Sequence, residues 1–310
     1  MNNSIPHVPV MRSEMCEHLL NKKDGIYLDG TVGFGGHSNK ILEYINKNGY
    51  LIGLDLDPYA LEYSNKRLSV HLDSFSLHHA NYKEFPEIIN SLGIKKLDGM
   101  LFDLGTSSYQ VDSEHRGFSY MKESDLDMRF NTKTGIAANE FLNSVDEADL
   151  ANIIYLNSGE KKSRRVAKSI LKSVRKGEML TTLDLRNSIE KAVGQKYLIK
   201  SLSRVFQAIR IHINNELQSL KELLNIICDY IKTDGKIVFI TFHSIEDRLI
   251  KSFFKHNALT CTCPIELPLC QCKHQPKLEI ITKKAIEPSA LEISQNSRAR
   301  SAKMRVAKGL

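Results

Sequence analysis

Long hydrophobic runs are missing from this chain of 310 residues. Its apolar stretches, such as Ile237-Val-Phe-Ile-Thr-Phe242, are strand-sized, whereas a helix needs about 20 apolar residues to cross a bilayer. Met1 to Ser13 also lacks the apolar segment of a secretory signal. These absences disfavour a membrane-spanning or exported protein. A cytoplasmic one is expected, whose six cysteines stay reduced. Acids are missing locally as well. Lys161 to Lys176 carries eight basic residues and no acid, and Ile293 to the C-terminus carries five basic residues and no acid. The net charge of +7 is modest, so it is the clustering that suggests a polyanionic partner. Either stripe alone could equally be a solvated face. Hydrophobic residues make up 42% of the chain, enough for a real core in one large domain or two smaller ones.

What is present is organised around Leu28-Asp-Gly-Thr-Val-Gly-Phe-Gly-Gly-His37. It reads as an apolar strand (Gly25-Ile-Tyr-Leu-Asp29), a glycine-rich turn and a helix starting near His37. Gly33, Gly35 and Gly36 allow positive φ and close approach of the backbone to a ligand. The helix start offers that ligand unpaired N–H groups. A second apolar strand, Tyr50-Leu-Ile-Gly-Leu-Asp55, ends in an acid suited to the ribose hydroxyls of a nucleoside cofactor. The dinucleotide fingerprint needs a third glycine where Ser38 stands, which disfavours a nicotinamide dehydrogenase. The order Asp29-x-Thr31-x-Gly33-x-Gly35 instead resembles the first motif of the S-adenosylmethionine (SAM) methyltransferases. Its early acid suits a cofactor with a cationic amino-acid end. A glycine-rich turn without a ligand is the plain alternative.

Strand and helix signals then alternate. After an extended Ile5–Met11 and a short helix at 13–22 come strand 26–30, helix 37–47, strand 50–56, helix 58–68, strand 75–80, helix 83–91 and strand 98–103. This pattern predicts an α/β fold, a parallel sheet with helices on both faces. Asp29, Asp55 and Asp103 would share the carboxyl-end rim, where open α/β sheets bind ligands. Unpaired acids are costly to bury; three separate helix caps are the alternative. The alternation stops after Leu104-Gly-Thr-Ser-Ser108. Loop-like Arg116-Gly-Phe-Ser-Tyr120 and Leu126-Asp-Met-Arg129 precede helical patterns. One is capped by Ser144-x-x-Glu147, one carries Val166, Ile170, Leu171 and Val174 as an apolar stripe, and one is capped by Thr182 and runs through Val193. An inserted helical domain over 106–204 would thus divide a sheet domain made of 1–105 and 205–310. The core would resume with one long helix through Ile213, Leu217, Leu220, Leu224, Ile227 and Ile231. A fifth strand at Gly235–Phe242, a helix from Ser244 and short strands at 278–282 and 304–307 would follow.

Several motifs in this order carry a more specific resemblance. They are His7-Val-Pro-Val, Asp29-Gly-Thr-x-Gly-x-Gly-Gly-His-Ser38, Asp103-Leu-Gly-Thr-Ser-Ser108, Arg116-Gly-Phe-Ser-Tyr-Met121 and Leu126-Asp-Met-Arg129. Phe206-Gln-Ala-Ile-Arg-Ile-x-x-Asn214, Phe242-His-Ser-Ile-Glu-Asp-Arg248 and Arg298-Ala-Arg-Ser301 complete the set. The chain resembles the RsmH (MraW) family of bacterial small-subunit rRNA methyltransferases nearly end to end. The resemblance implies a Rossmann-like class I SAM-dependent sheet. It also implies methyl transfer from SAM to the exocyclic N(4) amine of one cytidine in the decoding region of 16S rRNA. On matching positions it implies cofactor contacts at Gly35, Gly36, His37, Asp55, Asp103 and Gln110, with Tyr82 as the aromatic after the third strand. The chain departs from the family's usual Asn-Pro-Arg at Asn296-Ser-Arg298, and from its Gly-Glu-Glu-Arg at Gly159-Glu-Lys-Lys162. Both departures fall where RNA contacts are expected.

Chemistry narrows the roles. A cytosine amine is a poor nucleophile, so an acceptor for one of its hydrogens would help. Asp103, Ser107 and Ser108 are candidates, with His243 as a possible proton acceptor or a structural cap. The D/N-P-P-Y motif of other amine methyltransferases is replaced here by Asp103-Leu-Gly-Thr. The target base must be unpaired or flipped, and Phe118, Tyr120 or Phe242 could stack on it or simply pack in the core. Arg116, Arg129, Arg164, Arg165, Lys168, Arg210, Arg298 and Arg300 are the expected RNA contacts, with Phe118. Cys261, Cys263, Cys270 and Cys272 form two Cys-x-Cys pairs near His274 that could hold a structural zinc or remain plain thiols. The rival functions are a methyltransferase for another nucleic acid such as DNA, and a non-catalytic RNA-binding assembly factor on the same fold.

Overall fold

Strands buried on both faces need nearly continuous apolar sequence, and the central runs of this chain supply it. In the computed structural model, which describes residues 9–263 and 271–310, they form β1 (Ile26–Asp29), β2 (Tyr50–Asp55), β4 (Leu97–Asp103) and β5 (Ile231–Thr241). With β3 (Phe75–His79), β6 (Leu278–Ile280) and β7 (Lys303–Gly309) they make one sheet in the order β3-β2-β1-β4-β5-β7-β6. The first five strands are parallel, and β7 is antiparallel to both β5 and β6. This is a Rossmann-like α/β sheet. Residues 5–8 of the expected N-terminal extended segment lie outside the described residues.

Successive strand residues point to opposite faces, and the sheet sorts them into two apolar layers. Tyr27, Leu51, Leu101, Val238 and Ile240 join one; Leu28, Ile52, Met100, Phe102, Ile237 and Phe239 join the other. Helices α1 (Arg12–Leu19), α2 (Gly36–Tyr44) and α3 (Pro58–Leu68) contribute Met15, Leu19, Ile41 and Leu68 to the first layer. The second layer begins with Phe85 and Ile89 of α4 (Phe85–Ser91). The chain then leaves the sheet for α5 (Ser108–Asp112), α6 (Ala138–Ser144), α7 (Glu147–Ser158), α8 (Ser163–Val174), α9 (Thr182–Val193) and α10 (Leu198–Ile213). On its return, α11 (Glu216–Ile226) and α12 (Ser244–Asn257) add Leu220, Leu223, Ile250 and Phe254 to the second layer. A last helix, α13 (Ala290–Gln295), precedes β7. No helix among the described residues is long and apolar enough to cross a membrane.

The chain divides into two compact units, Met1–Gly105 with Ser219–Leu310, and Thr106–Gln218. The helical unit therefore ends later than the expected 204. Leu198, Leu202, Val205, Phe206 and Ile209 of α10 belong to its core together with Leu150, Ile154, Val166, Ile170, Leu185 and Ile189. The expected single helix from Ile213 to Ile231 is broken at Asn214 and Asn215, the latter at φ 52°. Its apolar series runs on through α11 and a 3-10 turn into the first residue of β5. Two caps also move. Asp146, not Ser144, caps α7 by accepting from the Asp149 N–H, while the Ser144 hydroxyl bonds back to the Phe141 carbonyl. Thr181 caps α9 in a reciprocal box with Asp184, and Thr182 donates to the Lys122 carbonyl.

Candidate cofactor site and nucleic-acid surface

The loop after β1 is spliced into the carboxyl ends of its neighbours. Gly30 N donates to Leu101 O and Val32 N to Leu54 O. Asp103 N donates to Thr31 Oγ1 at 2.7 Å, and Gly33 N to Asp55 Oδ2 at 2.7 Å. Gly33 and Gly35 have φ of 51° and 73°, in the region that disfavours a Cβ. Gly35 is the N-cap of α2, whose start carries no side-chain cap. Gly36 needs no unusual φ; a Cβ there would meet Pro9 at 2.9 Å, so packing accounts for that glycine.

Asp29 is fully buried. One oxygen accepts from Ser38 Oγ at 2.6 Å and the other from Thr31 N at 3.1 Å. Burial pushes its carboxyl above the usual range, opposed by the Ser38 bond and by His37. Asp29 thus clamps α2 to the loop. Asp55 keeps part of its surface at the rim while accepting from Gly33 N and Asp57 N. Desolvation raises its pKa to about 6. Tyr82 opens a 3-10 turn after β3 and packs edge-on against Phe102 at 6.1 Å. Asp29, Gly33, Gly35, His37, Asp55, Tyr82 and Asp103 therefore converge on one edge of the sheet.

His37 and Asp103 hold the unspent hydrogen-bonding capacity of that edge. His37 Nε2 is 3.4 Å from Asp103 Oδ2, too misaligned to bond. Both ring nitrogens and Asp103 Oδ1 are buried without a partner. Buried polar atoms normally find partners, so this pair fits a polar ligand that supplies both a donor and an acceptor. At the end of β5, His243 caps α12 through Nδ1, which accepts from Glu246 N. Its Nε2 is 3.0 Å from Glu246 Oε1 but lacks bonding alignment. The buried Glu246 is a member of the site region that the sequence reading left without a role. Its signal was the acid at N3 behind a capping residue. Ser38 and Thr31 were likewise missed, although both lie within the first motif.

Ser107, Ser108 and Gln110 belong to the helical unit. Ser107 and Gln110 form a capping box at the start of α5: Gln110 N donates to Ser107 Oγ and Ser107 N to Gln110 Oε1. Ser108 is the first residue of that helix. Several expected RNA contacts in this unit are spent on its own loops. The guanidinium of Arg116 is largely buried and donates to the carbonyls of Arg129 and Phe130. Arg129 grips Asp127 and the Gly135 carbonyl. Arg210 makes a two-pronged pair with Glu216 at 2.9 Å. Phe118 stacks on Phe130 at 5.7 Å, and Tyr120 packs against Phe206. Asn214 ties this loop together by donating to Met128 O and accepting from Phe130 N.

The two basic stripes part company. On α8, Val166, Ala167, Ile170 and Leu171 face the core, while Arg164, Arg165, Lys168, Lys172 and Arg175 are exposed. Arg164, Lys168, Lys172 and Arg175 fall on one face by their spacing. The C-terminal stripe is instead largely the strand β7. Arg305 is buried in a two-pronged pair with Asp247 of α12, and Lys308 pairs with Asp234 and Glu279. The expected phosphate-neutralising tail thus loses Arg305 and Lys308 to acids of the sheet domain, while Arg298 and Arg300 are exposed and Lys303 is partly so. Cys261, Cys263 and Cys272 cluster within 4.8 Å of one another; Cys270 lies outside the described residues.

Known proteins were compared with the chain as a whole. Residues 4–310 match the MraW methylase family. The ribosomal RNA small subunit methyltransferase H of Finegoldia magna is 43% identical, over 97% of each chain. The proteins of that name from Caldicellulosiruptor bescii and Halothermothrix orenii are 42% and 41% identical. Those alignments cover 97% of this chain and 98% of the relative in one case, and 98% of each in the other.

Proposed function

The chain belongs to the MraW methylase family, and from that membership we propose that it transfers a methyl group from SAM to the exocyclic N(4) amine of one cytidine in the decoding region of 16S rRNA. Relatives named ribosomal RNA small subunit methyltransferase H support the substrate class. The observation that carries the chemistry is the unbonded, buried Oδ1 of Asp103 beside His37 at the carboxyl ends of β1 and β4. A cytoplasmic enzyme acting on the small ribosomal subunit or its rRNA follows from this reading.

SAM, when bound, supplies a methyl group on a positively charged sulfur. The chain's own task is mainly positioning, which can lower a barrier by several kcal/mol. Asp55 would accept the ribose hydroxyls and must be ionised to do so. The uncapped backbone at Gly36 and His37 would offer N–H donors beside Gly35, whose own N–H is held by the Val32 carbonyl; Tyr82 would add a flanking contact, as the family resemblance implies for Gln110, and the Asp29 charge would favour a cationic end. Asp103 Oδ1 would accept one hydrogen of the target amine, drawing its lone pair out of the ring. The proton that the amine loses on methylation would pass to that carboxylate. Ser107 and Ser108 follow Asp103 closely in sequence and are further candidates to orient the amine. His243, bound to its own helix through Nδ1, serves as a positioning group with Glu246. On the RNA side, the exposed face of α8 with Arg164, Arg165 and Lys168 would neutralise phosphates, joined by Arg298 and Arg300.

Incubation of labelled SAM with small subunits lacking the modification, followed by nucleoside mass spectrometry, tests the reading. N(4)-methylated cytidine is expected with the native chain and not with Asp103→Ala. Label on a different base or on DNA, or none on subunits and naked rRNA despite measurable SAM binding, overturns it.

A further inference from the structure

We propose that Cys261, Cys263 and Cys272 are ligands of a structural zinc ion that fastens the connection between α12 and β6. Their sulfurs all lie within 4.8 Å of one another, and Cys261 Sγ is 3.7 Å from Cys272 Sγ. Thiolates placed tetrahedrally at the zinc–sulfur distance of about 2.3 Å sit about 3.8 Å apart. A disulfide would hold two of them at about 2.05 Å. The spacing is that of co-ligands, not of a covalent pair.

Backbone N–H groups converge on the three sulfurs. Thr262 N and His274 N approach Cys272 Sγ at 3.3 and 3.5 Å. Gln271 N approaches Cys263 Sγ at 3.3 Å, and Cys263 N approaches Cys261 Sγ at 3.4 Å. Three thiolates this close repel one another unless a cation sits among them. Soft thiolates in a tetrahedral set select zinc or an iron–sulfur cluster; a closed site without redox work favours zinc.

Position gives the site its purpose. The connection starts after Asn257 and is pinned at its base where Lys277 N donates to Asn257 O and Leu310 N to Lys277 O. Between those points the described residues form no helix or strand, and Cys261 and Cys263 are only half-buried. Hydrophobic burial does little to order such a segment, and a metal does so with few residues. Among the described residues the cluster comprises these three sulfurs. Cys270, which completes the repeat Cys-x-Cys…Cys-x-Cys in the sequence, lies outside the described residues. The site stands apart from the methyl-transfer reading and does not depend on it.

Elemental analysis of the full chain, purified under reducing conditions and dialysed against chelator, is the first test. A single zinc per chain is expected, with loss in Cys261→Ser/Cys272→Ser and in Cys263→Ser, and retention in Cys228→Ser. Stripped chain titrated with cobalt(II) should develop thiolate-to-cobalt charge-transfer bands and the visible bands of a tetrahedral site, and zinc should abolish them. Cobalt reports the site even where a serine variant folds poorly, because it is read on the native chain. Absence of metal and of cobalt bands, or undiminished zinc in the double variant, overturns the proposal. So does an iron–sulfide chromophore.

Discussion

The two basic stripes look alike as sequence and differ as structure. On α8 the bases have no acid within reach along the helix, and the apolar face fixes which side they present. On β7, Arg305 and Lys308 meet acids from far along the chain, Asp247, Asp234 and Glu279. A run of like charge therefore says nothing about a partner until its cross-chain neighbours are known. A helix displays its charges to solvent, whereas an interior strand of a sheet brings distant acids alongside.

The sharpest way to break this contrast is Arg305→Ala. It leaves Asp247 without its partner in a pair whose side chains are 10% and 13% exposed. A loss of about 3 kcal/mol is expected, read as a lower urea midpoint at constant m, with the salt slope of RNA binding unmoved. A shallower slope with unchanged stability would return Arg305 to the RNA surface. Next comes Arg165→Ala/Lys168→Ala on α8. RNA affinity should fall at least about tenfold, and the slope of log K against log salt should flatten by about 1.5 to 2. The melting temperature should hold.

A third test concerns a charge that is neither displayed nor paired with a cation. Asp55 has a pKa raised to about 6 by desolvation. Below that pH the ligand-free carboxyl keeps its proton, and ribose donors require its release, so SAM affinity should weaken as pH falls through 6. At pH 5 the dissociation constant should be about tenfold larger than at neutral pH, measured by calorimetry. Asp55→Asn should bind weakly and lose that pH dependence; a pH dependence that survives the substitution would acquit Asp55. The smallest effect is expected from Lys308→Ala. Its partners Asp234 and Glu279 are 75% and 53% exposed, and such surface pairs contribute little. Neither melting temperature nor salt slope should move, and a flattened slope would extend the RNA surface onto β7.

Legibility followed the range of the forces involved. Between Ile26 and Asp103 each strand and helix is set by its own apolar period, so expected and observed limits differ by a few residues at most, as with β2 at Tyr50–Asp55. The acids at strand ends were readable because an acid closing an apolar run is a local signal. Caps were less so: Ser144 and Asp146, or Thr181 and Thr182, offer competing oxygens, and tertiary packing chooses between them. The break at Asn215 was hidden because the +3/+4 apolar series continues across it in new elements. Least readable were the roles of Arg116, Arg129 and Arg210. Their motifs mark them out, but only the folded loop shows their guanidiniums turned inward onto carbonyls and acids.

The strand order also dictates an order of assembly. β6 precedes β7 in the chain, yet it joins the sheet only through β7, which lies between it and β5. While the polypeptide is being synthesised, Leu278–Ile280 emerges with nothing to pair against, and β5 presents an unpaired edge until residues 303–309 follow. An open edge of this kind invites pairing with other chains. The interval before Lys303 leaves the ribosome is thus one in which the β5 edge is open to such pairing.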